Sequence, residues 1–456
     1  MKTPLLLLTT MLCAGSAIAQ EHFTGISTSR RGGLLNASLN PAELTNQQTA
    51  FDVNVFNFGI NVANNKISFG DLVSGNDFDR LIFEGGEPTN LRLDAKILGP
   101  ALSVKRGSWA FAFTTGANVK ADFVDVDTGL GNAVTNGNIP GITEFYNINA
   151  GYNQRVSGTS WGEIGLTVAH DFFNNDLHKF SGGVTGRLLF PGTYANIALG
   201  QFRGRIDNIN DNVYLNDASA NINIAYSGSL AEDFTDSGNF TDFFAGGLNG
   251  FAADIGVNYQ LKDIVSDDST AVSNYRLNVG ASVRNLGSMT FKDDNNRNTN
   301  YVLDIPNGVA PAGLNLNQFE DVSDIRQIED ILRNSGYLTG ESVSRDFKVK
   351  LPATLSLYAD VKVISRFYFT AFTQQRLSDD SDNEQITAQR IWTFTPRYST
   401  KWFEAYVPVT NSDISDTNVG IGFRVGGFFI GSGSAITALL SDATQADAYF
   451  GFRFGI

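Results

Sequence analysis

Phe347 to Val363 reads FKVKLPATLSLYADVKV. Phe347, Val349, Leu351, Ala353, Leu355, Leu357, Ala359, Val361 and Val363 are all apolar, and between them stand Lys348, Lys350, Pro352, Thr354, Ser356, Tyr358, Asp360 and Lys362. Successive side chains of a strand point to opposite faces, so a period of two over this length describes one oily side and one wet side. Strands of soluble sheets usually run about 5–6 residues, whereas a tilted strand needs about 9–11 to cross a bilayer. The stretch therefore predicts a membrane-crossing strand whose odd positions all face lipid.

Other segments repeat the pattern. Phe251, Ala253, Ile255, Val257, Tyr259 and Leu261 oppose Asp254, Gly256, Asn258, Gln260 and Lys262. Tyr275, Leu277, Val279, Ala281 and Val283 oppose Arg276, Asn278, Gly280, Ser282 and Arg284, and Trp109, Phe111, Phe113, Ala117 and Val119 oppose Ala112, Thr114, Gly116, Asn118 and Lys120. The apolar faces carry no charge, as lipid requires, since Lys or Arg at mid-bilayer costs about 2–4 kcal/mol. At the end of the chain Phe450, Phe452, Phe454 and Ile456 share one face. An aromatic terminal strand of this kind resembles the signal read by the outer-membrane barrel assembly machinery, which makes that machinery and outer-membrane lipid the first expected partners.

The 46 glycines and 35 phenylalanines of the 456 residues suit strands joined by tight turns. A net charge of −14 argues against nucleic acid. Mean hydropathy is −0.10, and no segment after the first residues offers the ~18 consecutive apolar residues of a spanning helix; a barrel averages to such values because its two faces cancel. Met1-Lys2, the apolar run Pro4–Ala14 and Ala17-Ile18-Ala19 predict a signal peptide over 1–19, cleaved before Gln20. Leu12 precedes Cys13, where a lipoprotein signal would have a small residue. Cys13 is the one cysteine, and the histidines are His22, His170 and His178. Neither a metal site nor a cofactor is expected, and no Ser, His and acid gather as in a hydrolase.

Short turns at 105–107, 174–176, 364–366, 399–401 and 426–427 alternate with long connections near 65–90, 125–159, 191–249 and 293–346. This predicts an all-β fold, a transmembrane antiparallel β-barrel of 14 strands preferred, or 16 if 191–227 crosses the membrane rather than forming an outer hairpin. Tryptophans 109, 161, 392 and 402 start predicted strands and suggest two aromatic girdles. Phe319, Val322, Ile325, Ile328 and Leu332, with Gly336 beyond, predict a helix in one long loop. The lumen is expected to hold charges of both signs: Asp94, Lys96, Lys120, Asp122, Glu163, Arg187, Asp254, Arg276, Arg284, Lys350, Asp360, Arg397, Glu404, Arg424 and Arg453. The acidic loop Asp379, Asp380, Asp382, Glu384 lacks the spacing of a calcium loop and reads as a solvated outer loop. Phe234, Phe240, Phe243 and Phe244 put several rings into an outer loop and are candidate ligand contacts.

Residues 20–48 precede the first strand and contain Arg30, Arg31 and Asn40-Pro41-Ala42. With Leu98-Gly99-Pro100, Asn285-Leu286-Gly287-Ser288 and the closing Gly451–Ile456, they resemble an uncharacterised Bacteroidota family of outer-membrane barrels, a domain of unknown function. The Asn-Pro-Ala element is also similar to that of FadL/PorV-like barrels. That likeness implies an N-terminal plug segment, 20–48, within a barrel of 49–456. It also implies either passage of small hydrophobic molecules or a structural role beside a secretion-system protein, bound through the outer loops. A channel of this kind is expected to show kinks, and the candidates are Val55-Phe56, where the alternation slips, and Leu98-Gly99-Pro100. It is also expected to hold an apolar pocket near the plug.

Overall fold

In lipid no backbone N–H or C=O can be left to water, so a sheet that crosses a membrane closes on itself. The computed structural model describes residues 22–75, 78–137, 139, 145–210, 212–263, 274–292, 296–308, 312–320, 322–440 and 443–456, and its sheet is closed. The predicted signal segment 1–19 lies outside the described residues.

The strands in chain order are β1 (Phe51–Asn64), β2 (Thr89–Leu98), β3 (Ala101–Arg106), β4 (Trp109–Val126), β5 (Phe145–Asn174), β6 (His178–Ile209), β7 (Asn212–Ser227) and β8 (Gly250–Lys262). They continue as β9 (Tyr275–Phe291), β10 (Arg297–Ile305), β11 (Leu314–Asn315), β12 (Leu338–Ser344), β13 (Phe347–Lys350), β14 (Thr354–Ile364) and β15 (Phe367–Arg376). The last are β16 (Ile391–Ser399), β17 (Phe403–Tyr406), β18 (Val409–Ser412), β19 (Asp416–Val419), β20 (Ile421–Val425), β21 (Phe428–Ser432) and β22 (Gln445–Gly455). Several follow one another along a single wall position: β2 with β3, β13 with β14, β17 with β18, and β19 with β20. The result is a ring of 14 strands, closed antiparallel between β1 and β22. It is a barrel of the outer-membrane type.

On β14, Leu357, Val361 and Val363 point outward (42%, 38% and 63% exposed) while Tyr358 and Asp360 point into the lumen. The alternation predicted from Phe347 does not run through, however. Phe347, Val349 and Leu351 are buried, whereas Lys348 and Lys350 are exposed. The ladder opens over 351–353, where Pro352 has no N–H to give. Beside it β9 carries Asn285 at φ 60° and changes phase at the same height. Lys350 is thereby left exposed beside Asp382 (3.7 Å), and Arg276 is exposed as well. Trp109, Trp392 and Trp402 are exposed at strand ends as girdle residues would be, but Trp161 is buried inside.

The stretch 191–227 does not add two strands to the ring. The upper parts of β5 and β6 run on beyond it, and β7 pairs with β6 and β10, with β12 outermost. This outer extension has an apolar interior that includes Ile148, Phe202, Ile206, Leu215, Ile222, Ile224 and Leu303. Helices α1 (Leu34–Leu39), α2 (Phe69–Val73), α3 (Phe78–Leu81), α4 (Thr128–Asn136) and α5 (Ile325–Asn334) follow in chain order, and α6 (Ala435–Leu440) is the last. The helix predicted around 319–332 appears as α5; Asp324 caps its first turn and Gly336, at φ 76°, follows its end. Ile325 and Leu332 of α5 and Leu130 and Ala133 of α4 pack into the same apolar interior.

Candidate functional site

Residues 22–48 lie within the lumen. Arg30, Arg31, Asn40, Pro41 and Ala42 are all buried. Asn40 ends α1 and caps a 3-10 helix, Pro41–Asn46: its side chain accepts from Ala42 N at 3.0 Å. The same side chain donates to Val257 O (2.9 Å) and to the Tyr358 hydroxyl (3.1 Å). Proline at the first helical position gives up no bond that an interior turn would need. The seat beneath Asn-Pro-Ala is a pair of glycines in register on β6 and β8, Gly183 and Gly256. A Cβ on Gly183 would stand 2.5 Å from the Pro41 carbonyl carbon, and one on Gly256 would overlap the Asn40 amide. Glycine inside a strand often marks such a close approach.

The segment is tied to the wall by charge. The buried Glu43 carboxylate accepts from Asn46 (2.7 Å), Asn258 (2.9 Å), Asn278 (2.8 Å) and the Tyr358 hydroxyl (2.5 Å). Lys105 and Lys179 both donate to Thr45 O, at the C-terminal end of the short helix, where cations are favoured. Arg30 donates to the Tyr368 hydroxyl (2.5 Å), Arg31 to Gln48 (2.8 Å) and Ser29 to Glu404 (2.8 Å). Asp52 accepts from Leu34 N (3.1 Å) at the start of α1 and from Arg453 (2.6 Å).

The lumen wall cross-links itself as both signs of charge suggested. Arg187 joins Glu163 (3.1 Å) to Asp254 (2.6 Å), Arg397 pairs with Asp360 (2.6 Å) and Arg424 with Glu404 (2.6 Å). The acidic residues are solvated as expected at Asp379, Asp382 and Glu384, which are exposed, while Asp380 is half-buried. The stretch behind them turns inward: Gln385, Ile386, Thr387, Ala388 and Gln389 are buried. Cations on the opposite wall draw them in: Arg92 holds Asp380 (3.1 Å), and Arg155 donates to Asp382 O (2.5 Å) and Gln385 O (2.7 Å). Asp413, in the loop between β18 and β19, stands near Arg376; burial pushes its carboxyl up in spite of that cation.

Between the N-terminal segment and the lumen wall lies a cavity of about 100 Å³. His22, Asp94, Lys96, Lys120, Arg187 and Arg284 line it, with Phe23, Leu39, Trp161, Phe372 and Ile391. Its lining is thus mixed and rich in charge rather than apolar as expected. Two apolar clusters lie instead beside a break in the wall. One gathers Phe23, Ile26, Leu35, Tyr406, Phe429 and Tyr449 with Leu98 against it; the other gathers Leu34, Ala37, Leu44, Ala110, Ala112 and Ala169 with Ala101 against it. The break is where both expected kinks meet. Asn54 pairs with Ala101 and Asn57 with Leu98, so Val55-Phe56 stands opposite Gly99-Pro100. Val55 and Phe56 both point outward (40% exposed each), and Asn54 closes the inner side by donating to Gly99 O at 3.0 Å.

The outer-loop phenylalanines do not form one site. Phe240 is buried in the outer extension and Phe234 packs against the same interior. Phe243 gives its carbonyl to Gly162 N (2.7 Å), and Phe244 lies 52% exposed against Phe190. Phe450, Phe452, Phe454 and Ile456 all face outward on the closing strand. Sequence reasoning missed Glu43, Arg155 and the glycine seat; the glycines inside strands were the available signal for the last.

A closed 14-stranded ring with a filled, ion-paired lumen defines an outer-membrane β-barrel. The chain belongs to a family of unknown function, DUF5723, whose model matches residues 41–433. No curated protein sequence matches it. Among solved structures, a monoaromatic hydrocarbon channel, CymD, is 12% identical, with 97% of this chain and 98% of that one covered and a TM-score of 0.44. The Pseudomonas putida toluene transporter TodX is 11% identical over 96% and 98%, with a TM-score of 0.39. The translocator domain of autotransporter NalP from Neisseria meningitidis is 7% identical over 90% and 89%, with a TM-score of 0.32.

Proposed function

We propose that this protein is an outer-membrane channel that admits small hydrophobic molecules through the side of the barrel, with residues 20–48 as its plug. The observation that carries the reading is the wall break at Val55-Phe56 and Gly99-Pro100, backed by the apolar residues of α1. A hydrophobic solute reaching this point from the lumen meets lipid through a gap in the ladder and need not pass the Asp52–Arg453 pair below it. The polar lumen suits a channel that excludes ions while closed. In this reading the N-terminal signal is removed on export, and the closing strand Phe450–Ile456 is presented to the assembly machinery.

The test is uptake of labelled toluene and labelled fatty acid by a deletion strain, complemented with the wild type or with Asn54→Cys/Ala101→Cys, which faces a cysteine pair across the break. Uptake restored by the wild type, lost in the oxidised pair and recovered on reduction is the expected result. Equal uptake by the deletion strain and its parent would discard the reading. The folded outer extension favours a second role, binding of a secretion-system protein through the loops, and co-purification from outer membranes tests it.

A further inference from the structure

β21 stops short of its neighbours. It pairs with β22 only from Phe428↔Phe452 to Gly431↔Tyr449, and with β20 as far as Ser432↔Ile421. Above that height β22 continues to Gln445 with β1 alone, and β19 pairs with β18 alone. Two strand edges thus face one another with no strand between them. The level is still within the oily belt on the β1 side, where Ile60 and Val62 pair with Ala448 and Ala446.

Helix α6 occupies the gap and contacts both β19 and β22. Its Thr437 hydroxyl accepts from Val419 N at 2.6 Å, which satisfies a donor on the β19 edge. Its start is tied down through Ser432, whose Oγ accepts from Ser434 N (3.2 Å) and Ala435 N (3.0 Å) and donates to Asp447 (2.8 Å). Within the helix Ala438 N donates to Ser434 O at 2.9 Å. A helix pairs part of its backbone within itself even in lipid, and in one of six residues the first-turn donors need partners outside it, which Ser432 and Ser434 supply. None of its residues is buried, and Leu439 and Leu440, at 83% and 81%, are the most exposed large apolar side chains among the described residues. Below them Phe428 and Ile430 on β21, and beside them Phe450 on β22, continue the same outward apolar surface.

We infer that α6 is a piece of the barrel wall itself, a helix standing in for the missing upper half of β21, and that Leu439 and Leu440 face the acyl chains of the outer leaflet. The experiment uses the full chain with Cys13→Ala, reconstituted in phosphatidylcholine vesicles, with single cysteines at Leu439, Leu440, Ile430 or Glu232 carrying an environment-sensitive fluorophore. Folding is checked by heat-dependent mobility in gels. The expected result is blue-shifted emission at 439 and 440, quenched by doxyl-labelled lipid to the same extent as at 430 and untouched by iodide, with the reverse at 232. Quenching at 439 and 440 by iodide, or protection from both quenchers, overturns the inference. If the label at 439 impairs folding, the same two readings at Ala438 and Leu440 decide it.

Discussion

β6 passes through two kinds of interior. In its lower half Thr185 and Arg187 point into the lumen, while Phe180, Val184 and Leu188 point outward. In its upper half the order is reversed: Phe202 and Ile206 are buried inside the outer extension, and Gln201 and Arg203 are exposed. Two irregularities separate the halves: at Pro191-Gly192 the pairing with β5 slips between Ser160 and Trp161, after which Ala195, Ile197 and Leu199 face the outer core, and at Gln201 (φ 52°) the phase passes to Phe202 and Ile206. The alternation itself is the same in both halves. What differs is the medium outside, lipid below and water above, so the apolar side chains turn out in one and in for the other. One region is held by ion pairs across a polar lumen, the other by a packed apolar core.

This contrast can be broken at either end. The largest effect is expected at Asp360, which is fully buried with Arg397. Asp360→Ala strands a guanidinium and should lower barrel stability by about 3–5 kcal/mol, read from urea unfolding in micelles, whereas Asp360→Leu with Arg397→Met should restore most of it. Ile206→Ala, in the outer core, should cost about 2–5 kcal/mol within the extension. It should make 191–249 sensitive to protease while leaving the unfolding midpoint of the ring unchanged. Gly183→Val pushes a side chain into the Pro41 carbonyl and should weaken the seat of the N-terminal segment by about 1–3 kcal/mol; if that segment plugs the barrel as proposed, this is seen as bursts of ion conductance in planar bilayers that the wild type lacks. Asn40→Ala removes a cap worth about 1 kcal/mol and should give the same bursts at lower frequency. A ring that stays silent in both of the last two variants would show that the glycine seat does not hold the N-terminal segment as a plug.

The barrel was legible because its strands report the difference between lipid and lumen at nearly every residue. Phe251–Lys262 alternates as its sequence does, residue by residue. The stretch from Phe347 was legible only from Ala353 onward. Its earlier half keeps the same period, but a period cannot say which face is covered, and Phe347 stacks on Phe291 inside the protein. The same ambiguity misplaced Trp161. Arg276 and Lys350 show that polar residues of a strand do not always turn inward near its ends. The inward turn of Gln385–Gln389 behind the acidic residues was not legible because the partners that hold this loop, Arg92 and Arg155, are distant in the chain. The facing kinks at Val55-Phe56 and Gly99-Pro100 were each visible as local irregularities, but only the register brings them together.

The length of β6 has a consequence for the cell surface. Its pairing level with the top of β4 ends at Ala198, opposite Arg155, and the part from Leu199 to Ile209, at about 3.3 Å per residue and a tilt near 40°, reaches about 25 Å beyond the ring. That is far enough to stand clear of the lipid headgroups, on one side of the molecule only. Phage, antibody or host receptor arriving from the medium would touch this polar rampart first and the barrel mouth last.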